Sequence, residues 1–444
     1  MTAHGSLRQR IVLLMSVTSV VALALAVNTT GQAAAAAGWI PAASMAGTRT
    51  QHAAARLADG KVLVVGGRVG SGNSGPNVFV DTAEVYNPAT DSWSSAGTPQ
   101  FGARPTATTL GNGRVLVAGG SHQNGPCPGA DCVDSKAALY DEGTNTFLPT
   151  AAMSEQRDFH TATLLADGRV LVAGGEPNEL LVSGTAEIYN PNTNLWSTTG
   201  SMSTPRIGHT ATRLADGTVL VTGGSASNGI EGLASAEVYD PSTGTWSPAS
   251  SMAVARFGAA ATLLGNGKVL VAGGVVGGQM LDGLASAELY DPASRTFSPA
   301  GTMSAGRVSL TANLLPDGHV LAAGGYSGRA GGNNSPLKSA ELYNPATNTW
   351  AATAAMGTAR AEHAATSLVN GDVLVTGGSP GTATAERYRA TVPTTTTTRP
   401  TTTVPAHRCN PPNGRISGPL YRLGRLFGLP RLLQLAASLC GRGL

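Results

Sequence analysis

A four-residue apolar run recurs along the chain, each time followed by a pair of glycines: Val62-Leu63-Val64-Val65 before Gly66, Val170-Leu171-Val172-Ala173 before Gly174, Val373-Leu374-Val375-Thr376 before Gly377. The glycine pair begins at Gly66, Gly119, Gly174, Gly223, Gly273, Gly324 and Gly377, with spacings of 53, 55, 49, 50, 51 and 53 residues. A period of this length marks a repeat architecture. Asp-Gly or Asn-Gly precedes every run, from Asp59-Gly60 to Asn370-Gly371. It predicts a tight hairpin of type I′, because this dipeptide accepts positive φ at both central positions. A loop of variable length leads to a third strand ending in Tyr86, Tyr140, Tyr189, Tyr239, Tyr290, Tyr343 or Tyr388. Seven residues after the first six tyrosines stand Trp93, Phe147, Trp196, Trp246, Phe297 and Trp350, marking a fourth strand reached through turns such as Asn190-Pro191.

No aromatic residue follows Tyr388 at that spacing, whereas Trp39 stands 27 residues before the first glycine pair, as the aromatic does in five other repeats. The two ends complement one another. The expected fold is all-β: a seven-bladed β-propeller of four-stranded antiparallel blades, closed by an N-terminal strand completing the last blade. Val-Leu-Val-x-Gly-Gly, then Ala-Glu-x-Tyr, then Trp resembles the kelch repeat, and Asp-Gly-x-Val-Leu-Val-x-Gly-Gly is similar to the central propeller of the galactose oxidase family. The resemblance covers Trp39 to about Tyr388 and implies the ring. It implies no single function, because this propeller carries enzymes, adaptors and binding modules.

With 58 Gly, 26 Pro and only 12% charged residues, coiled coils and helical bundles are excluded. The net charge of +3 hides an asymmetry: residues 38–392 hold 20 Lys and Arg against all 26 Asp and Glu. A nucleic-acid partner is disfavoured for that body. Arg8 and Arg10 precede an apolar run from Ile11 to Val27 and an Ala-rich stretch, which reads as a signal peptide over residues 1–37; an uncleaved membrane helix is the competing reading. The propeller follows over 38–392, then a Thr/Pro-rich linker over 393–407 and a small basic segment over 408–444. Export permits disulfides, and the expected pairs are Cys127 with Cys132 and Cys409 with Cys440. Leu420, Leu423, Leu426 and Phe427 interleave with Arg422 and Arg425 in the tail, which suits contact with an anionic envelope surface or the core of a minimodule.

Arg49, Arg157, Arg206, Arg256, Arg307 and Arg360 stand 17 residues before their glycine pairs, in repeats that also carry Glu84, Glu187, Glu237, Glu288, Glu341 and Glu386. The second repeat has Arg104 displaced and Ala138 at the Glu position, so each Arg is expected to pair with a Glu inside the stack. His52, His160, His209 and His363 fall three residues after the repeat Arg; a metal site in the channel competes with hydrogen bonding to the next sheet, which recurrence favours. A copper-radical oxidase of the resembling family needs a tyrosine linked to a cysteine, a second tyrosine and two histidines. Seven of the nine tyrosines here are repeat positions, and both propeller cysteines share one loop. The sialidase box Ser-x-Asp-x-Gly-x-Thr-Trp is also missing, with Pro241-Ser242-Thr243-Gly244-Thr245-Trp246 lacking its Asp.

Specificity is expected in the variable loops between second and third strands, the longest being 68–80, 121–136 and 326–338. Across these loops Asp131, Asp134, Glu176, Glu179, Glu231 and Asp282 are possible acids and bases, with solvated loop charges of the ring face as the competing reading. Tyr326, Arg329, Asn333 and Asn334 combine an aromatic face with hydrogen-bonding neighbours and are the expected ligand-binding residues. The sequence therefore points to a secreted, monomeric, non-catalytic recognition scaffold without a cofactor, binding an extracellular or envelope glycan or protein. Its alternative is a secreted carbohydrate-active enzyme, oxidase or hydrolase, with its site on the same loop face.

Overall fold

The computed structural model describes residues 37–70, 78–122, 132–178, 181–227, 231–277, 282–328 and 335–390. The expected signal peptide up to residue 36, the linker and the basic tail lie outside them. Seven four-stranded antiparallel sheets make up the body. The third is representative, running Thr161–Leu164, Val170–Ala173, Ala186–Asn190 and Leu195–Thr199 from the axis outward. Each first strand packs against the first strands of both neighbouring blades, and that of blade 7 packs on that of blade 1, so the sheets close a ring around a central channel. Blade 7 takes its outer strand from the other end of the chain: Gly38–Ala42 pairs with Ala385–Arg389, placing Trp39 opposite Tyr388. Their rings stand 5.2 Å apart, like the 5.0–5.1 Å of the six Tyr–Trp and Tyr–Phe pairs within the other blades.

The apolar run is buried on both faces because every second strand lies between two neighbouring sheets. Leu171 and Ala173 pack with Met202, Val219 and Tyr239 of blade 4, while Val170 and Val172 pack with Leu116, Leu139 and Met153 on the blade 2 side. Strand periodicity of two thus sends alternate side chains into different seams. The core is a ring of seams, not one central mass. Each fully buried Val or Leu contributes about 1.5–3 kcal/mol.

The hairpins form where expected but with a different turn. Positive φ occurs at Gly60 (91°) and its six equivalents and not at the preceding Asp or Asn, while the Gly60 N–H donates to Leu57 O at 3.1 Å. This is a type I turn closed by a left-handed glycine, the three-residue hairpin, rather than type I′. Asp59 is selected because its carboxylate accepts the Lys61 N–H (2.9 Å), a contact repeated through Asn370 and Asp372 in blade 7. The glycine pair serves close approach between blades: a Cβ on Gly119 would lie 2.6 Å from Arg157 O, and the Gly120 N–H donates to that same oxygen at 2.9 Å.

All six expected Arg–Glu pairs form, at 2.7–3.1 Å, with the arginines at most 1% exposed. Arg256 donates through Nη1 to Gly273 O and Ser286 O (2.8 Å each) and through Nη2 to Ser286 Oγ and Glu288. Glu288 in turn accepts the backbone N–H groups of Ala253 and Val254. Each pair therefore satisfies backbone groups that the sheets leave unmatched where the chain crosses between blades. In blade 2, Gly102 occupies the arginine position and Ala138 the glutamate position. Lys136 takes over there, donating to Pro99 O at 2.6 Å with its ammonium 4.9 Å from the centre of the buried Phe101 ring. The second repeat has exchanged its cation rather than only lost a pair.

Removing residues 1–43 deletes the outer strand of blade 7 and should lower the melting temperature of the whole body in one transition; a truncated chain melting with the parent contradicts velcro closure. Arg256→Ala strands a buried carboxylate and should cost about 3–5 kcal/mol, and Glu288→Leu strands the guanidinium at a similar cost. The double variant Arg256→Met, Glu288→Leu, which removes both charges but leaves Gly273 O, Ser286 O and the Ala253 and Val254 N–H groups unmatched, should cost less than the sum of the two. Denaturant unfolding of the three variants checks this, and additive losses count against a coupled pair.

Candidate functional site

Two residues ahead of every first strand, at the channel mouth on the loop side, the chain passes through a left-handed conformation. Gln51, Arg104, Phe159, Gly208, Gly258, Ser309 and Glu362 have φ between 52° and 65°. Their backbones hydrogen-bond around the axis: Gln51 N–H to Glu362 O (3.0 Å), Glu362 to Ser309 (3.2 Å), Ser309 to Gly258 (3.0 Å), Gly258 to Gly208 (3.2 Å), Gly208 to Phe159 (3.2 Å) and Arg104 to Gln51 (2.8 Å). The remaining link is replaced, because Phe159 N–H donates to the Asp158 carboxylate at 2.9 Å. Holding a non-glycine residue in this region costs on the order of 1–3 kcal/mol, and such strain gathers at functional sites. Five of the seven ring positions bear that cost.

The ring presents different chemistry on opposite arcs. Arg104 donates to both Asp158 oxygens (2.6–2.9 Å), to Gln51 Oε1 (2.9 Å) and to Ser121 Oγ (3.1 Å), and lies 4.2 Å over the Phe159 ring. Glu362 accepts from Thr50 Oγ1 at 3.2 Å and has no cation partner among the described residues. Tyr326 stands beside it. Burial first, and then the Glu362 charge, push its phenol up to about 12, so it remains a donor at neutral pH, with Ser379 and Arg68 acting in the opposite sense. Across the mouth the Phe257 ring covers Gly208, and Phe257 and Val308 are paired by backbone bridges to Val275 and Tyr326. A polar arc thus faces an apolar one.

Of the expected ligand-binding residues, Tyr326 is at this mouth, and Arg329, Asn333 and Asn334 lie outside the described residues. Asp134 contacts His122 at 3.4 Å, while Asp131 and Glu179 lie outside the described residues. Sequence reasoning missed Gln51, Asp158 and Glu362. For Gln51 and Glu362 the signal was available as a position that varies between repeats two residues after the repeat arginine, and for Asp158 as the residue directly after it.

The four histidines do not converge. Each Nε2 meets a threonine hydroxyl of the preceding blade: His52 with Thr376 (2.8 Å), His160 with Thr106 (3.1 Å), His209 with Thr161 and His363 with Thr311 (3.0 Å each). Burial, followed by the nearby repeat arginine, lowers their pKa from 6.5 to about 3 for His52, His209 and His363 and about 4 for His160. They are neutral ties between sheets. The expected disulfide framework also needs correction: no bridge joins two described cysteines. Cys132, 3% exposed and opposite His122, is not a free thiol, and Cys127, Cys409 and Cys440 lie outside the described residues. The described body is held by its seams and its ring closure.

Residues 159–378 match the KLHDC2/KLHL20/DRC7 Kelch-repeats domain, and residues 49–100 match the Kelch motif. The chain is a kelch-repeat β-propeller. Among solved structures it is similar to a novel fungal alcohol oxidase of the AA5 family in complex with copper, at 17% identity and a TM-score of 0.61 over 80% of this chain and 76% of that one. It is also similar to YjhT, at 15% identity and a TM-score of 0.54 over 70% of this chain and 99% of that one. At these identities the likeness is one of fold. No curated protein matches the chain. The described residues contain no cluster of three His, Cys, Asp or Glu side chains able to hold a metal ion, and the four repeat histidines are spent between sheets. No described helix is long and apolar enough to cross a membrane.

Because the folded histidines titrate near 3–4 and unfolded ones near 6.5, the unfolded chain binds more protons between those values. Stability is therefore full above about pH 6.5 and lost as pH falls toward 4. Melting across that range should show the decline, shallower in His209→Gln; an unchanged slope in that variant contradicts the assignment.

Proposed function

We propose that this protein is an exported carbohydrate-active enzyme of the hydrolytic class, with its site at the channel mouth. The observation that carries the proposal is Glu362: a carboxylate borne by a strained left-handed residue of the ring around the axis, oriented by Thr50, near the protonated phenol of Tyr326. Glu362 acts as acid–base group at the glycosidic oxygen and Tyr326 donates a hydrogen bond to a neighbouring hydroxyl. Phe159 and Phe257 offer ring faces to the apolar side of a sugar, and Arg104 with Asp158 fixes the mouth between blades 2 and 3. The copper-containing alcohol oxidase supports placing an enzyme on this fold, and the apolar run after Arg8 and Arg10 supports export. An extracellular or envelope glycan is the substrate class, and the basic tail serves contact with the envelope.

A second reading, the non-catalytic recognition scaffold, is favoured by one observation. Asp158 is neutralised by Arg104, leaving Glu362 as the ring carboxylate outside an ion pair, whereas glycoside hydrolysis ordinarily uses two carboxyl groups. Incubating the full mature chain with defined oligosaccharides and following new reducing ends separates the two. Glu362→Gln should lose at least about 100-fold in turnover while keeping its melting temperature and glycan affinity. Binding without turnover in the parent protein moves the assignment to the scaffold, and neither binding nor turnover sinks both.

A further inference from the structure

Arg68 differs from every other arginine of the loop face. The six repeat arginines each meet a glutamate and Arg104 meets Asp158. Arg68 makes no ion pair or side-chain hydrogen bond among the described residues; its Nε is buried without a partner, as is that of each repeat arginine, but those pair through their Nη groups. Its backbone is nevertheless fixed, bonded both ways to Thr50 at 2.9 Å and paired with Phe79 in a short ribbon. Thr50 is the residue whose hydroxyl holds Glu362, and the charges of Arg68 and Glu362 both reach Tyr326, with opposite effect. A cation, a phenol donor and a carboxylate acceptor therefore share one arc of the mouth, with the cation and carboxylate not paired to each other.

A guanidinium without a partner, carried on a fixed stretch of backbone, is complementary to an anion, and its planar fork fits a carboxylate better than a lone hydroxyl. Glu362 beside it accepts from a hydroxyl. We infer that the mouth recognises the carboxylate of an acidic sugar through Arg68, with an adjacent sugar hydroxyl on Glu362 and Tyr326. The inference deepens the carbohydrate assignment above and rests on it for the sugar, though not for the carboxylate. Arg68 confers selectivity between acidic and neutral ends rather than turnover itself.

The test is calorimetric titration of the full mature chain at low salt with three probes: a glucuronate-ended oligosaccharide, its glucose-ended counterpart, and lactate as a hydroxy acid that is not a sugar. The acidic end should bind at least about tenfold tighter than the neutral one, with the preference weakened at high salt and lost in Arg68→Ala and Arg68→Gln. Both variants remove a side chain without hydrogen bonds, so at least one should melt within a few degrees of the parent. Equal affinity for the two sugars, or a preference that survives both variants, overturns the inference while leaving the carbohydrate assignment in place. Lactate binding that depends on Arg68, with neither sugar bound, supports carboxylate recognition and overturns the sugar. No binding by any probe overturns both.

Discussion

A guanidinium buried between two sheets is the interaction on which the rest of this propeller depends. Where the chain leaves the outer strand of one blade and crosses to the inner strand of the next, it passes over the loop-side end of the seam, where sheet bonding has stopped. Arg206 meets that need with two carbonyls, a serine hydroxyl and Glu237, and Glu237 passes the satisfaction on to the backbone N–H of Ser203. A buried ion pair is weak evidence for stability when considered as two charges. Its value here lies in completing the backbone hydrogen bonding of a crossing that apolar side chains cannot serve.

The same arginines fix the geometry of the mouth. In six blades the ring residue follows its arginine by two positions, so the seated guanidinium anchors the chain just before the left-handed turn; in blade 2 Arg104 follows Gly102 and keeps the same conformation through its backbone bond to Gln51. The strain at Gln51, Ser309 and Glu362 is held by the backbone hydrogen bonds that ring residues make to one another, and at Phe159 by its bonds to the Asp158 carboxylate and the Gly208 N–H. This separates the two duties of the repeat. Constant residues determine where the ring lies, and the one position with freedom to vary determines what it presents. Blade 2 shows how far the separation reaches: with Lys136 and Phe101 filling the seam, the displaced Arg104 is released to bind Asp158 and stack on Phe159 at the mouth.

Histidine illustrates how the environment sets a role. Imidazoles repeating around a channel resemble a ligand set in one dimension, yet each sits inside a seam where burial and an arginine hold it neutral and a threonine takes its Nε2. The seam claims the side chain before the channel can. The group left for chemistry is the unpaired one, Glu362, together with Arg68 and Tyr326.

The sequence by itself determined the blades, their number and the closure through Trp39, because each rests on a local signal: alternation through a strand, a glycine at a turn, an aromatic at a fixed distance from a tyrosine. It also determined the Arg–Glu pairing, since losing both in the second repeat is a correlation visible in one chain. The turn class was misjudged because Asp-Gly suits two hairpin types and the choice depends on how many residues the strands leave between them. The candidate site was only partly legible, through Tyr326. Glu362, Gln51, Asp158 and Arg68 are far apart along the chain, and no spacing connects them. Only closing the ring brings them to one mouth, because their proximity is created by the rotation between blades, a property of the packed assembly.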